Sequence, residues 1–384
     1  MLISYRNDLK PIADLAQSFA ARELAGKTGE HDRYPFGEFY DHVLDKAYEV
    51  GFLGAILPES LGGIGGDLGT LCVILQNICH VDGSLGGIIF TNALSQEIML
   101  NAGATDLAGE IFLKATSPGE FLVAFPSFTD PAQMSALPEA VGSGSDFTLT
   151  GCLEFLVMGN LAKQAIIPAR TGRGSSYSFF LVDLSVNNVD KSDPVFSLGL
   201  HACPAVDITF QGAKARLVGA ENGGINIFEK VSVRMNVAAA AMNAGIMKGS
   251  FNEALTYSRE RFQGGRAIVN WSEVGMMLVG MSIKADVAEM CIAQACMALA
   301  KSGDGNGSAH LSSSIHIHEL ACEAVNDGIQ ILGGYGYMKD YGQEKRFRDA
   351  RMVQALLGSA PLKKLDMIRR IVGPAQTVSD ESGF

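Results

Sequence analysis

The stretch GIQILGGYGYMKDYGQEKRFRDARM, residues 328–352, marks the end of one predicted helix and the entry to the C-terminal region. A helix over SSIHIHELACEAVNDGIQIL, residues 313–332, is predicted to end at Gly333 and Gly334, because glycine readily adopts the left-handed conformation that follows a helix. RDARMVQALLGSA, residues 348–360, continues in a helical region, and a last helix is predicted from about Pro361 to Val372.

Two longer helices are predicted before this stretch. VAAAAMNAGIMKGSFNEALTYSRERF, residues 237–262, is rich in Ala, Gly and Met, which allows close helix packing, and it ends in cationic residues that suit a helix C-terminus. SEVGMMLVGMSIKADVAEMCIAQACMALAKSG, residues 272–303, is the second, and a glycine-rich turn follows it. The chain from residue 223 onward is therefore expected to form a four-helix bundle.

The N-terminal part also has helical periodicity. NDLKPIADLAQSFAARELA, residues 7–25, and FGEFYDHVLDKAYEVGFLGAI, residues 36–56, repeat apolar residues at three- and four-residue spacing. The glycines of PESLGGIGGDLG, residues 58–69, separate them from an apolar run. We interpret this glycine cluster as a structural turn, because it does not complete a dinucleotide-binding fingerprint and no strand precedes it.

The sequence pattern changes from helical to strand-like between about residues 120 and 222. Short runs with period-two alternation, separated by turn residues, predict a small antiparallel β domain. The predicted fold class is thus α+β, with an all-α domain at 1–118, a β-barrel-like middle domain at 119–222 and a helical bundle at 223–384.

Composition excludes several classes of function. A net charge of −11 without a long Lys/Arg run argues against nucleic-acid binding, which needs clustered positive charge. No run of eighteen apolar residues predicts a membrane span, and the N-terminus does not resemble a signal peptide, so we expect a cytoplasmic protein. The seven cysteines are scattered without a Cys-x-x-Cys pair and are expected to be reduced, mostly buried thiols.

His316 and His318 are the candidates for a metal site. Two residues apart on a helix, they point to different faces, and no third ligand type lies nearby at metal-site spacing. We interpret them as ordinary histidines of a helix surface and expect no metal.

Several strings together resemble the acyl-CoA dehydrogenase family over nearly the whole chain. The most specific are YSRERFQGGRAI, residues 257–268, and the opening stretch at 328–352. PESLGGIGGD at 58–67, HVDGS at 80–84, FTDPAQMS at 128–135 and LGLHACPAVDITFQGAKA at 198–215 support them.

The resemblance implies FAD as cofactor, an acyl-CoA thioester as substrate and an electron-transfer flavoprotein as partner. Arginine, glutamine and glycine backbone suit a pyrophosphate, and in the family such segments reach a neighbouring subunit's cofactor, which implies a dimer, a tetramer or a heteromer with a sister subunit. The residues matched to cofactor contacts are Thr129, Phe155, Arg261, Gln263, Gln330, Gly333 and Gly334. Those matched to substrate contacts are Ser135 and Arg234, and a structural ion pair is an open alternative for Arg234.

The catalytic carboxylate of the family has no counterpart at either of its known positions. One position corresponds to Leu357 and the other to Val233, immediately before Arg234. Glu229 lies five positions before Arg234 and is the candidate replacement if the helix start is shifted. The alternative interpretation of Glu229 is an exposed carboxylate in the first helical turn, stabilised by the helix dipole.

Three functions remain open on this basis. The first is α,β-dehydrogenation of a CoA thioester, with electrons passed to electron-transfer flavoprotein and with a non-standard or absent base. The second is a non-oxidative elimination on an acyl-CoA, similar to a desulfinase. The third is a non-catalytic subunit of a heteromeric acyl-CoA dehydrogenase complex.

Overall fold

The chain forms a group of helices, a seven-stranded sheet and a second group of longer helices, in that order. The computed structural model describes residues 6–34, 39–144, 146–172, 176–302 and 307–372. The N-terminal helices are α1 Lys10–Phe19, α2 Thr28–His31, α3 Phe39–Glu49, α4 Leu68–Cys79, α5 Gly83–Asn101, α6 Thr105–Phe112 and α7 Pro118–Phe121. The C-terminal helices are α8 Gly224–Glu260, α9 Ser272–Ser302, α10 Gly307–Leu332, α11 Gln343–Gln354 and α12 Ala360–Val372.

The N-terminal helices are built around α5, which is buried from Gly83 to Met99. It begins where the Asp82 side chain accepts hydrogen bonds from the backbone of Ser84 and Leu85, at 2.7 and 3.0 Å. The helix predicted over 36–56 ends earlier, at Glu49, because Gly51 adopts a left-handed conformation with φ +81°.

The glycine cluster at 58–69 is a structural turn, as its sequence indicates. A Cβ atom on Gly63 would lie 2.2 Å from the carbonyl oxygen of Leu57, and one on Gly66 would lie 2.4 Å from that of Ala55. Backbone packing therefore requires both glycines.

The strands of the sheet are β1 Val123–Ala124, β2 Glu139–Ser143, β3 Asp146–Val157, β4 Gln164–Ala169, β5 Ser178–Asp183, β6 Val189–Lys191 and β7 Ala205–Val218. Their order in the sheet is β1-β4-β5-β7-β3-β2, with β6 paired to β7. All pairs are antiparallel except β1 with β4, which differs from the purely antiparallel domain that the alternation predicts. A bridge joins β2 back to the residue after β4, where the Ala140 N–H donates to the Arg170 carbonyl at 2.8 Å, so the sheet curls into a barrel-like form.

The C-terminal region contains α8, α9 and α10 as long helices, together with the shorter α11 and α12. The sequence predicts four helices here, and α11 is the fifth. Its charged sequence lacks an apolar stripe, and it is instead stabilised by ion pairs one turn apart, Lys345 with Asp349 at 2.6 Å and Arg348 with Glu344 at 2.7 Å.

Buried charges join the three parts of the molecule. Lys345 pairs with Asp349 and with Asp82, which precedes α5, at 2.6 and 3.2 Å. Arg348 pairs with Asp32, and Asp32 also contacts the His201 ring at 2.9 Å. These contacts connect the N-terminal helices, the sheet region and α11.

Among the described residues, no helix is both long and apolar enough to cross a lipid bilayer.

Candidate functional site

One cavity of about 280 Å³ brings together Leu357, Val233 and Glu229. Val233 and Glu229 come from α8, and Leu357 comes from the turn between α11 and α12. The two positions that the sequence resemblance matches to the catalytic carboxylate therefore line one cavity, and neither carries a titratable side chain.

Helix geometry explains why Glu229 reaches this cavity. It lies four residues, about one turn, before Val233, so both side chains project from the same face of α8. α8 begins at Gly224, which makes Glu229 its sixth residue. The side chain is exposed at the cavity, as the alternative interpretation expects, but its placement in the first helical turn is wrong.

The turn that carries Leu357 has an unusual backbone. Leu357 has φ +61° and Gly358 has φ +107°, and the leucine side chain is only 5% exposed. The Leu357 N–H donates to the carbonyl of Ser127 at 2.8 Å, which ties the turn to the loop after β1. A left-handed leucine is strained, and such conformations persist where surrounding contacts hold them.

Four further charged side chains line the cavity, and sequence reasoning missed them all. They are Asp130, Lys363, Asp366 and Arg369. Burial raises the pKa of Asp130, and the carboxylates of Asp366 and Glu229 act in the same direction. Burial lowers the pKa of Lys363 to about 8. Two sequence features could have indicated these residues, namely a carboxylate next to Thr129 and a charged face on the last helix. Neither feature identifies a cavity residue unless the folded structure is known.

Two buried polar atoms in the cavity wall lack a hydrogen-bond partner among the described residues. They are the Tyr177 hydroxyl, on a side chain that is 1% exposed, and Oδ1 of Asn236. Burial raises the pKa of Tyr177, so the phenol stays protonated. A buried polar atom without a partner costs about 1–3 kcal/mol, which favours a ligand or water in this space.

Arg234 points away from the cavity. Its Nε donates to the Glu97 carboxylate of α5 at 2.9 Å, and the Glu97 side chain is 8% exposed. This geometry is that of the structural ion pair left open by the sequence. Ser135 is exposed and does not line the cavity either.

Thr129 and Phe155 lie on the sheet side of the site. Thr129 belongs to the loop after β1, whose Ser127 carbonyl accepts from Leu357, and Phe125 of that loop bridges to Val157. Phe155 sits in a bulge of β3 with φ +57° and is 44% exposed. Val157 is buried, so the strand offers an exposed aromatic ring but no hydroxyl beside it.

The other predicted cofactor contacts gather at one end of the C-terminal helices. Arg261 follows α8, and Tyr335 comes directly after the glycines that end α10. The guanidinium carbon of Arg261 lies 6.0 Å from the centre of the Tyr335 ring. All the predicted residues of this group are exposed: Arg261, Gln263, Gln330, Gly333 and Gly334. The sequence interpretation treats them as two halves of a contact between chains, whereas here both segments lie on one surface of a single chain.

This surface fits the pyrophosphate of a dinucleotide. Within the described part of the chain, Arg261 has no carboxylate partner, so its charge is available to an anion. Open space surrounds Gly333, since nothing lies within 4 Å of a Cβ atom built there. An unpaired guanidinium beside accessible backbone is the donor set that a phosphate requires.

The two histidines differ in their surroundings. His316 is exposed, but His318 is 2% exposed and its Nδ1 lies 2.8 Å from the Asn243 amide. Burial holds the pKa of His318 well below its usual range, so the ring is neutral. The interpretation of His318 as a surface residue is wrong, because α10 packs that face against α8. Across the described residues, no group of three His, Cys, Asp or Glu side chains could hold a metal ion.

Comparison with known proteins supports the same architecture. The caffeyl-CoA reductase–Etf complex subunit CarC of Acetobacterium woodii is 28% identical over 369 residues, covering 93% of this chain and 96% of that protein. The 3-(aryl)acrylate reductase of Clostridium sporogenes is 29% identical over 367 residues, with coverage of 92% and 96%. Butyryl-CoA dehydrogenase from Megasphaera elsdenii has a similar fold, with a TM-score of 0.86, 20% identity and coverage of 95% and 98%. The predicted α+β fold class is thus confirmed.

Family profiles match the chain segments before and after the sheet. Residues 7–117 match the profile described as acyl-CoA dehydrogenase, N-terminal domain. Residues 222–372 match the profile described as acyl-CoA dehydrogenase, C-terminal domain. Since these matches, the shared fold and the cavity between α8 and the turn after α11 all agree, the chain belongs to the acyl-CoA dehydrogenase family.

Proposed function

We propose that this chain is an FAD-dependent oxidoreductase that acts on the α,β-carbon pair of an acyl-CoA thioester and exchanges electrons with an electron-transfer flavoprotein. The observation that carries the proposal is the cavity shared by Leu357, Val233 and Glu229, since two of these residues are the ones that the sequence resemblance matches to base positions. When bound, FAD supplies the acceptor or donor for hydride at the β-carbon.

The names of the relatives support the coupling and the type of reaction. One is a subunit of a caffeyl-CoA reductase–Etf complex, and another is a 3-(aryl)acrylate reductase. Both directions of the reaction are therefore part of the proposal, namely oxidation of a saturated thioester and reduction of an unsaturated one.

We assign the proton transfer at the α-carbon to Glu229. It is a carboxylate on the same face of α8 as Val233, and it borders the cavity that contains Leu357. A carboxylate at the open side of a cavity can exchange its proton with solvent after each turnover.

The cofactor would be held from two sides. Thr129 and Phe155 would face the ring system, and the surface around Arg261 and Gly333 would bind the pyrophosphate. The family resemblance implies that the pyrophosphate bound by this surface would belong to the cofactor of a neighbouring chain. We therefore propose a homo-oligomer, either a dimer or a tetramer, or a heteromer with a sister subunit.

Anaerobic mixing tests this function directly. The purified chain with bound FAD is mixed with a series of saturated acyl-CoA thioesters, and bleaching of the flavin absorbance is followed. Reduced enzyme is then mixed with the matching enoyl-CoA thioesters. Flavin reduction in the first experiment and reoxidation in the second are expected. A flavin that stays unchanged with every thioester that binds would contradict the proposal.

Glu229→Gln separates the proton-transfer assignment from the general function. Loss of a general base typically costs 10²- to 10⁴-fold in rate, so flavin reduction should slow by that factor while thioester binding persists. Glu221→Gln, which removes an exposed carboxylate just before α8, is the control and should react normally. An unchanged rate in Glu229→Gln would transfer the assignment to another residue.

The same preparation distinguishes the two other candidate functions. Cleavage of a β-substituted thioester without flavin reduction would indicate a non-oxidative elimination. A colourless chain that acquires FAD only with a sister chain would indicate a non-catalytic subunit. Both would be consistent with the uncharged side chains at Leu357 and Val233.

A further inference from the structure

Lys363 is a buried cation in the cavity wall. Its side chain is 7% exposed, and its Nζ donates to the carbonyl of Leu356 at 2.5 Å. No ion pair links it to a carboxylate anywhere in the described ranges. Lysine is seldom buried unless it is paired, so a buried, unpaired lysine in a cavity is a candidate for a functional group.

The three backbone N–H groups of the turn at residues 356–358 are already hydrogen-bonded. The N–H of Leu356 donates to Val353, that of Leu357 to Ser127 and that of Gly358 to Ala355, at 3.1, 2.8 and 3.1 Å. An ammonium group has three N–H donors, and Leu356 accepts one of them. The amine of Lys363 therefore has donors to spare beside this turn.

The charged and titratable groups around Lys363 come from several elements. Asp130 lies in the loop after β1, Glu229 lies on α8, and Asp366 and Arg369 lie on the same helix as Lys363. From α10, the buried His318 faces it and is neutral. The cavity lined by Lys363 thus also contains three carboxylates and one guanidinium, and none of them is in an ion pair with its amine within the described ranges.

We propose that Lys363 donates a hydrogen bond to the thioester carbonyl oxygen of the acyl-CoA substrate and stabilises the enolate formed when the α-proton leaves. In this step the α-C–H bond breaks, its proton passes to the base and its electron pair moves onto the carbonyl oxygen. Lys363 keeps its own proton. The inference rests on the proposed function, because it requires a CoA thioester in this cavity.

The protonation state of Lys363 supports this assignment. Burial lowers its pKa to about 8, so at pH 7 the amine is still mostly an ammonium ion and can act as a donor. Above this pH it becomes neutral and its electrostatic effect on an enolate weakens. Preorganised donors aimed at a developing oxyanion often supply the largest single contribution to such a reaction.

Binding of acetoacetyl-CoA tests the proposal without relying on turnover. This thioester forms an enolate readily, whereas butyryl-CoA of similar size binds as a neutral ligand. Affinities are measured by calorimetry and the bound enolate by its ultraviolet absorbance. Lys363→Gln should weaken acetoacetyl-CoA binding about 10- to 100-fold, the range for a hydrogen bond to a charged group, and butyryl-CoA binding less than about 3-fold.

A pH series provides the second measurement. Ionisation of the ligand itself affects the wild-type and Lys363→Gln affinities equally, so it does not change their ratio. This ratio of wild-type to Lys363→Gln affinity should fall as the pH rises past about 8, where Lys363 loses its proton. Lys363→Arg, which stays charged, should show no such fall. Lys364→Gln is the matched control, since that lysine is exposed on the same helix and pairs with Glu319.

Three outcomes would overturn the inference. The first is an equal loss of affinity for both thioesters in Lys363→Gln, and the second is no loss of affinity for either. The third is a ratio of wild-type to Lys363→Gln affinity that rises with pH, as a neutral amine acting as the base would give. Failure of wild-type protein to bind any CoA thioester would instead contradict the proposed function, so the two failures are distinguishable.

Discussion

At the scale of single residues, Leu357 is the cavity residue with the most constrained backbone. Its side chain is buried, uncharged and held in a left-handed backbone conformation by the Ser127 carbonyl. Such strain costs on the order of 1 kcal/mol or more, and it persists because neighbouring contacts enforce it. The residue is therefore placed to direct a side chain into the cavity, although leucine cannot accept a proton.

Leu357→Glu is expected to create or raise ordinary acyl-CoA oxidation. The new carboxylate would enter the cavity beside Val233, at a position that the sequence resemblance matches to a base, and general-base catalysis contributes about 10²- to 10⁴-fold. Anaerobic flavin reduction by acyl-CoA measures the gain. Leu357→Gln has the same size without the base and should show none. If acyl-CoA binds to Leu357→Glu and the flavin reacts no faster, the cavity is not shaped for this reaction.

At the scale of elements, α12 reverses the usual orientation of an amphipathic helix. Leu362, Leu365, Ile368 and Ile371 are 41–62% exposed, whereas Lys363 is buried toward the cavity. A helix normally directs its apolar face to the core. The exposed apolar side chains could pack against another surface, and the buried Lys363 indicates a polar site on the inner side of the helix.

Lys363→Met is expected to stabilise the protein. The folded state lowers the pKa of Lys363 to about 8, so burying the ammonium opposes folding below that pH, and stability rises as the pH increases from about 8 to the ordinary lysine value. Methionine removes this cost and keeps the volume, although the hydrogen bond to Leu356 is lost. An increase of about 1–3 kcal/mol at pH 7 is expected from denaturant unfolding. A lower stability would instead identify Lys363 as a purely structural residue.

At the scale of the whole molecule, buried ion pairs connect the helical groups and the sheet. Burial opposes ionisation of Asp32, yet hydrogen bonds from His201 and Arg348 hold its pKa well below the usual range. The hydrogen bond to Asp32 in turn raises the pKa of His201. These pairs transmit the position of α11, and hence of the Leu357 turn, to the rest of the fold.

The pairs predict how stability depends on pH. A carboxyl with a lowered pKa stabilises the fold above about pH 4, and this contribution is lost as the pH falls toward the folded value. A histidine with a raised pKa contributes fully below about pH 6.5, and this is lost as the pH rises through its folded pKa. Thermal melting temperature should therefore be highest between these limits.

Asp32→Asn removes the stabilising contributions of the Asp32 carboxylate and of the protonated His201 ring. We expect a loss of about 3–5 kcal/mol near neutral pH, because the substitution leaves Arg348 with less compensation in a buried site. The dependence of melting temperature on pH between about 3 and 8 should also flatten. Asp8→Asn, which removes an exposed carboxylate paired with Arg6, should change little. A pH profile unchanged by Asp32→Asn would exclude this network as its source.

Assembly should depend on an apolar stripe along α9. Met276, Val279, Ile283 and Met290 are 52–69% exposed and recur at helical spacing. Ile283→Lys is expected to give a smaller species in light scattering and to lower FAD content, if neighbouring chains complete the cofactor site. Leu113→Lys, at another exposed apolar position, should assemble normally. Unchanged mass would exclude this stripe as the interface.

The sequence by itself determined the fold class, because periodicity and glycine positions depend on local backbone geometry, and family-specific strings extend over nearly the whole chain. It also determined that Leu357 and Val233 carry no base. Only the tertiary structure decided that Arg234 pairs with Glu97 and that Lys363 faces the cavity. Those outcomes depend on which helix faces meet across long separations in sequence, and local periodicity does not record that.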